Sequence, residues 1–479
     1  MLPWKSIISI NRTDTRPVYL QISDTIISEI MQGRIHKGFK MPGSRTLAET
    51  LALNRKTILQ AYDELMAQGW MEIIPKRGAF IKESLPEVKS QPLGESIKET
   101  VPLSSGIKSK YEIPRSECVI DDGTPDYRLA PIDSLLKTAR SVSKGAIGKS
   151  VLLGNHYFGE GTLRKNLASY LSTTRAIHGT IDNILITRGS QMAIYLAFAT
   201  LLKKGDRVIV GQLNYHSADK AIQKAGGTLV KVPVIDVGLD LDKVEKEAQS
   251  KSIRAMYITP HHQYPTTVTM PVENRMRLLE LAEKYDFHII EDDYDYDYHY
   301  NRSPILPLAS IDRNNRIIYI GSFSKILVPS IRIGYMYASP SIIQKCGELR
   351  MIIDKLGDPI MERALAEMLS NNEIDRFLKK AVNTYKSRRD LFCSMLKEEL
   401  KDEIHFKIPE GGMAVWVTFK NVKITKLIES ANKLKLGLKI DVYEHTEKAC
   451  RFGFASMSLE EIETNTRLLI QAIQVLLAR

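Results

Sequence analysis

Apolar residues recur at helical spacing after Pro17, through Tyr19, Ile22, Ile26, Ile27 and Ile30, and Gly33 stops the pattern, so the spacing predicts a first helix. Behind Pro42 and Gly43, Ser44 is placed to cap a short helix that turns Leu47, Ala48 and Leu51 inward. Asn54 caps the next, whose buried face is Ile58, Ala61, Tyr62 and Leu65. Two short helices across a tight turn make a helix-turn-helix. Gly69 ends the second helix, and residues 70–81 read as two strands around a Lys76–Arg77–Gly78 tip, a basic wing. Periodicity is then lost over residues 84–117, where Pro86, Pro92, Pro102 and Pro114 stand among Ser and Lys, the composition of a linker.

From Cys118 short apolar runs alternate with helical stretches, the mark of an α/β sheet. The runs at 184–187, 208–210, 256–258, 288–290 and 317–320 each end in polar residues, where open α/β sheets bind ligands. The expected domains are therefore 1–83, a winged helix-turn-helix; 84–117, a flexible linker; and 118–479, an α/β domain with a large part over about 165–350 and a small part over about 351–479.

Composition changes this picture little. A chain of 479 residues exceeds a single core, and its 43% hydrophobic and 26% charged content is that of an ordinary globular protein. The net charge of +11 favours a polyanionic partner. Cys118, Cys346, Cys393 and Cys450 form no C-x-x-C pair, so neither a zinc site nor a disulfide framework is expected. No apolar run is long enough to span a bilayer, and residues 1–16 lack the apolar core of a signal peptide. The expectation is a soluble cytoplasmic protein.

The chemistry centres on the run 317–320, which leads through Ser322 and Ser324 to Lys325, with Arg332 seven residues further on. A primary amine so presented can form a Schiff base with a carbonyl, while Ser322, Ser324 and Arg332 can hold a dianionic phosphate. Pyridoxal 5'-phosphate carries both groups. A solvated lysine after an ordinary strand is the alternative for this segment alone. After the run 184–187, Gly189, Ser190 and Gln191 open a helix whose free N–H groups suit a phosphate. Tyr215 can stack on a pyridine ring, Asp292 can keep the ring nitrogen protonated, and Tyr294 can hydrogen-bond the phenolic oxygen. Asp293, Asp295 and Asp297 alternate like calcium ligands, but an EF-hand needs Gly and Glu where Tyr298 and Pro304 stand, so no metal is expected. In the N-terminal part, Asn54, Arg55, Lys56 and Thr57 put donors for phosphates and base edges at the helix end that enters a major groove.

Two resemblances follow. Residues 17–82 resemble the GntR-type winged helix, on Pro17 to Tyr19, Gly33 to Ile35, Met41 to Ala48, Asn54 to Thr57, Ala61, Tyr62, Leu65, Gly69 and Arg77 to Ile81. This resemblance implies that Arg45, Arg55, Lys56, Thr57 and the Arg77–Gly78 tip touch a double-stranded DNA operator. Residues 118–479 resemble fold-type-I pyridoxal-phosphate enzymes of the class-I aminotransferase kind, on Gly189 to Gln191, Glu291 to Tyr294, Ser322 to Lys325 with Arg332, and Gly411 to Trp416. Together they look like a MocR-type regulator. That implies a homodimer, with Tyr157 reaching the partner's cofactor phosphate and Arg451 clamping an effector carboxylate. The effector implied is pyridoxal phosphate itself, an amine or an amino acid. One departure stands out: aminotransferases usually carry Asn before Pro-Thr-Gly, whereas this chain has Tyr264 before Pro265, Thr266 and Thr267. Regulation is therefore the expectation, with an active aminotransferase carrying a DNA-binding module as the alternative.

Overall fold

The computed structural model describes residues 2–12, 14–85, 118–154, 157–300, 305–443 and 446–478. Two compact units, Met1–Ser109 and Lys110–Arg479, are taken separately. Residues 86–117 of the expected linker lie outside the described residues.

In the first unit the helices are Trp4–Ile7, Val18–Met31, Ser44–Leu51 and Arg55–Ala67, followed by strands Met71–Ile74 and Gly78–Ile81. Ile22, Ile26 and Ile30 from the second helix meet Leu47, Ala48, Ile58, Ala61, Tyr62 and Leu65 in one core. Trp4 and Ile8 join it, a packing the sequence reading had left out. The Asn54 side chain caps its helix by accepting from the Lys56 N–H at 2.8 Å. Ser44 does not cap: it is the first helical residue, Gly43 holds the cap position, and Ser44 Oγ instead accepts from Arg55 Nε at 3.3 Å. The two strands pair antiparallel from Met71 with Ile81 to Ile74 with Gly78. The tip between them needs left-handed backbone at Lys76 (φ 64°) and Gly78 (φ 108°), and glycine meets that need without strain.

The second unit is built on a seven-stranded sheet, in the order Ile184–Thr187, Gly334–Tyr337, Ile317–Ser322, His288–Asp293, Ala255–Ile258, Arg207–Gly211 and Thr228–Val232. Only Gly334–Tyr337 runs antiparallel within it. The central strands are buried on both faces, which is why they read as unbroken apolar runs. Helices such as Ser190–Leu201 and Val272–Lys284 cover the sheet, and a 28-residue helix, Glu373–Leu400, leads to a three-stranded antiparallel sheet of Ile404–His405, Ala414–Phe419 and Ala449–Gly453. Beside it Cys118–Ile120 pairs in parallel with Leu436–Leu438, so the start of this unit is stitched to its C-terminal part. Among the described residues no helix is long and apolar enough to cross a membrane.

The capping difference is testable. Asn54→Ala should lower the stability of the first unit by about 1 kcal/mol, and Ser44→Ala by no more than about 0.5 kcal/mol. Denaturant unfolding followed by Trp70 fluorescence measures both.

Candidate functional site

An anion cradle forms where the strand Ile184–Thr187 turns into the helix Ser190–Leu201. Gly189 has φ 75°, and a Cβ there would lie 2.6 Å from the Arg332 guanidinium, so only glycine lets that cation close on the helix N-terminus. Gly334 makes a similar approach, since a Cβ on it would lie 2.6 Å from the Gly189 backbone. Arg332, itself at φ 54°, donates to the Arg188 carbonyl at 2.9 Å. Ser190 is the first residue of the helix, and Gln191 Nε2 donates to the Ser217 carbonyl at 3.1 Å while its Oε1 has no partner among the described residues. Past the Lys325 strand, Ser322 Oγ accepts from the Ser324 N–H at 3.2 Å, and the buried Ser324 Oγ has no partner among the described residues.

Asp292 lies near the carboxyl end of His288–Asp293, buried to 3% exposure. Its Oδ2 accepts from Tyr257 Oη at 2.7 Å, and its Oδ1 has no partner among the described residues. Burial raises its pKa from 3.8 to about 7, against the lowering effect of the Tyr257 hydrogen bond. A carboxylate so placed is suited to a cationic N–H. Lys325 donates from Nζ to the Gly123 carbonyl at 2.6 Å, and Tyr298 Oη donates to the Lys325 carbonyl at 2.9 Å. Burial lowers the Lys325 pKa, the Arg451 charge adds to that, and Asp122 opposes it. More of the lysine is thus a neutral nucleophile at a given pH.

Arg451 lies mid-strand in Ala449–Gly453 and is buried, not a solvated residue at a strand start. Its Nε donates to the Asp122 carbonyl at 2.7 Å and Nη1 to the Pro265 carbonyl at 3.3 Å, so this arginine ties the three-stranded sheet to the loops around Lys325. Its guanidinium lies 5.1 Å from the Tyr264 ring centroid, and Tyr264 in turn meets Tyr215 edge to face at 5.4 Å. Tyr294 Oη donates to the His262 carbonyl at 2.9 Å and accepts from Arg451 Nη2 at 3.4 Å. Tyr157 stands apart: its ring packs on Phe158 at 4.3 Å, and no contact ties it to Lys325 among the described residues.

The other acidic residues have structural partners. Asp293 accepts from Tyr319 Oη at 2.9 Å, Asp295 pairs with His262 Nδ1 at 2.7 Å, and Asp297 is gripped by Arg175 at 2.9 and 3.0 Å. Tyr296, Tyr298 and Tyr300 are buried. The bonds of Tyr257 to Asp292 and of Tyr298 to the Lys325 carbonyl are not written in the local sequence. The signal that finds Tyr257 is strand order: its strand lies beside His288–Asp293, with Tyr257 opposite Ile290, two residues before Asp292.

On the first unit, Arg45, Asn54, Arg55 and Lys56 are exposed and Thr57 is half-buried, at the starts of the two turn-linked helices. Arg77 and Gly78 are exposed at the wing tip, where the Arg77 guanidinium lies 5.7 Å from the Phe80 ring centroid and Lys40 Nζ 6.0 Å from it. Exposed positive charge thus stands both at the helix starts and at the wing tip.

Comparison with known proteins places these features. The model for aminotransferase class I and II matches residues 120–467, and that for bacterial regulatory proteins of the gntR family matches residues 18–81. The chain is 26% identical over 473 residues to YdeL of Bacillus subtilis (strain 168), an uncharacterized HTH-type transcriptional regulator, covering 97% of this chain and 99% of that one. It is 26% identical over 411 residues to the probable rhizopine catabolism regulatory protein MocR of Rhizobium meliloti, covering 84% of this chain and 82% of that one. Among solved structures, Pyrococcus horikoshii kynurenine aminotransferase superposes with a TM-score of 0.69 at 27% identity, covering 75% of this chain and 91% of that one. The chain therefore belongs to the aminotransferase class I and II family and carries a gntR-family helix-turn-helix ahead of that domain, which is the architecture of the MocR-type regulators.

Proposed function

We propose that this protein is a sequence-specific DNA-binding transcriptional regulator that holds pyridoxal 5'-phosphate and responds to an amine, an amino acid or the cofactor itself. One observation carries the reading: a helix-turn-helix with an exposed Arg55–Lys56 end stands on one chain with a buried Asp292, a half-buried Lys325 and an Arg332 that closes on the Gly189 turn. Full-length likeness to proteins named as regulators supports it.

The residues fit the cofactor. The Gly189–Gln191 turn and Arg332 would take the phosphate, with Ser322 and the unpartnered Ser324 Oγ. The open oxygen of Asp292 would meet the ring nitrogen, Tyr215 would lie against the ring, and Lys325 would attach covalently at the carbonyl. When bound, pyridoxal phosphate supplies a carbonyl that condenses with amines and a ring that withdraws electrons. Lys325, with its lowered pKa, would be the amine that holds the cofactor and gives way to a ligand amine, and Arg451 would orient a ligand carboxylate. Tyr157 would complete the site of a partner subunit in a homodimer, and the operator places the protein's action in the cytoplasm.

Arg451 also favours a second reading, an aminotransferase with a DNA-binding module, because the carboxylate clamp is held in place. Against it, the Tyr264 hydroxyl is engaged by Asp122 and Asp441 at 3.1 and 3.4 Å. A phenol committed there is a poor substitute for the asparagine amide of working aminotransferases. Steady-state turnover with physiological amino donors and keto acids would establish the second reading.

Borohydride reduction of the cofactor-loaded protein followed by peptide mapping should label Lys325, and Lys325→Ala should abolish the label while leaving the far-UV spectrum unchanged. Arg55→Ala should weaken operator binding by about 1 to 3 kcal/mol if Arg55 reads a base, whereas a phosphate contact would weaken all sequences alike; titration of matched and scrambled duplexes at several salt concentrations separates the two. Asp292 has a testable pH signature in cofactor-free protein. Because its folded pKa is raised from 3.8 to about 7, the folded chain keeps a proton that the unfolded chain has lost between those values, so this group makes stability fall as pH rises through that window. Asp292→Asn should therefore shrink the loss of stability between about pH 4 and pH 7 in denaturant titrations, with the raised carboxyls of Glu291 and Glu362 supplying what remains.

A further inference from the structure

Two parallel strands, Cys118–Ile120 and Leu436–Leu438, end side by side, and the Lys439 N–H continues the pairing onto the Ile120 carbonyl at 2.9 Å. The segments leaving those ends bring Asp122 and Asp441 to one point, the hydroxyl of Tyr264, which lies 3.1 Å from Asp122 Oδ2 and 3.4 Å from Asp441 Oδ2. A phenol has one proton, so it satisfies one of these carboxylates at a time. Neither carboxylate is in an ion pair among the described residues, although the charge of Asp122 acts on Lys325 and Arg451 from further away. The two cations of the site are directed elsewhere, Lys325 Nζ onto the Gly123 carbonyl and Arg451 onto the carbonyls of Asp122 and Pro265.

The surroundings also suit a cation. Tyr443, 4% exposed, faces Asp441, Tyr264, Arg451 and Asp122, and its buried hydroxyl lies beside the Tyr264 hydroxyl without a hydrogen bond of ordinary length and angle to any described residue. Its ring lies 5.2 Å from His216 and 6.0 Å from Trp416, and aromatic faces beside carboxylates attract an ammonium. The location is set by the backbone: Asp122 precedes Gly123, so its side chain starts one residue from the carbonyl that takes Lys325 and on the residue whose carbonyl takes Arg451. A ligand with its amine at Lys325 and its carboxylate at Arg451 therefore has Asp122 and Asp441 as neighbours of whatever third group it carries. A neutral third group would leave two carboxylates sharing one proton next to an added third carboxylate. An acidic one would be repelled.

We infer that the ligand recognised at this site is a diamino monocarboxylate, whose second ammonium is held by Asp122 and Asp441 at the Tyr264 hydroxyl. The inference rests on the reading of Lys325 and Arg451 as the amine and carboxylate anchors. It gives Tyr264 a positioning role, holding the two acids together where aminotransferases carry asparagine.

The test is calorimetric titration of full-length, pyridoxal-phosphate-loaded protein, with the visible spectrum recorded in parallel, using L-ornithine, L-norvaline and L-glutamate as probes of similar length. L-Ornithine should bind at least about tenfold more tightly than L-norvaline, as a charge-assisted hydrogen bond confers, and L-glutamate most weakly. Asp441→Asn and Asp122→Asn should each lower the ornithine-to-norvaline ratio. Asp441 is exposed, so its variant keeps the test alive if Asp122→Asn fails to fold. Equal or tighter binding of L-norvaline, or a ratio untouched in Asp441→Asn, overturns this inference while leaving amine sensing intact. No heat and no spectral change with any of the three, on protein that retains its cofactor, overturns the amine-sensing reading as well.

Discussion

Asp292 is buried in a sheet strand with one oxygen on the Tyr257 hydroxyl and the other without a partner among the described residues. Burying a carboxylate without a full set of partners costs free energy, and burial accordingly pushes its pKa up to about 7. The surrounding architecture keeps this strained charge where a cation can meet it. The neighbouring strands Ala255–Ile258 and Ile317–Ser322 run parallel to its own, so Tyr257, Asp292 and the approach to Lys325 come out at the same edge of the sheet. A sheet with strands in another order would scatter them.

The cradle at Gly189 depends on a different constraint, close backbone approach. Gly189 and Gly334 bring the helix N-terminus, a neighbouring strand and the Arg332 guanidinium to within a distance that any Cβ would break. The positive end of the helix and the guanidinium then act on the same volume, which suits a dianion better than either alone. The two ends of the site are thus held by unlike means, one by a buried carboxyl with an open oxygen and the other by the absence of side chains.

Arg451 couples this site to the rest of the unit. It sits on the three-stranded sheet, yet its hydrogen bonds go to carbonyls at Asp122 and Pro265, on loops beside Lys325. These bonds make Arg451 a tie across the seam between the two sheets of this unit. Gly411 and Gly412 lie in the same seam: a Cβ on Gly411 would strike His262 at 2.5 Å, and one on Gly412 would lie 2.8 Å from Asp295. Close packing of that kind leaves the two sheets little freedom to shift by small steps.

Local signals made much of this legible in the sequence. Asn54 caps its helix because a side chain two residues from a free N–H can reach it without help from the fold, and the runs ending at Thr187, Ile258 and Ile320 are apolar because each strand is buried on both faces. Ser44 was misread as a cap because two adjacent residues, Gly43 and Ser44, both satisfy the local rule, and the turn geometry chose between them. The likeness of Lys325, Asp292 and Arg332 to a family pattern was carried by short stretches for the same reason. What the sequence by itself determined, then, was the kinds of element, their order and the local motifs that end them. The tertiary structure alone decided that Tyr257 would partner Asp292, that Arg451 would be buried mid-strand, and that Tyr264 would meet Asp441 from 177 residues away. Those contacts depend on strand order and on the parallel pairing of distant segments, and no periodicity within a single segment encodes which distant segment will lie beside it.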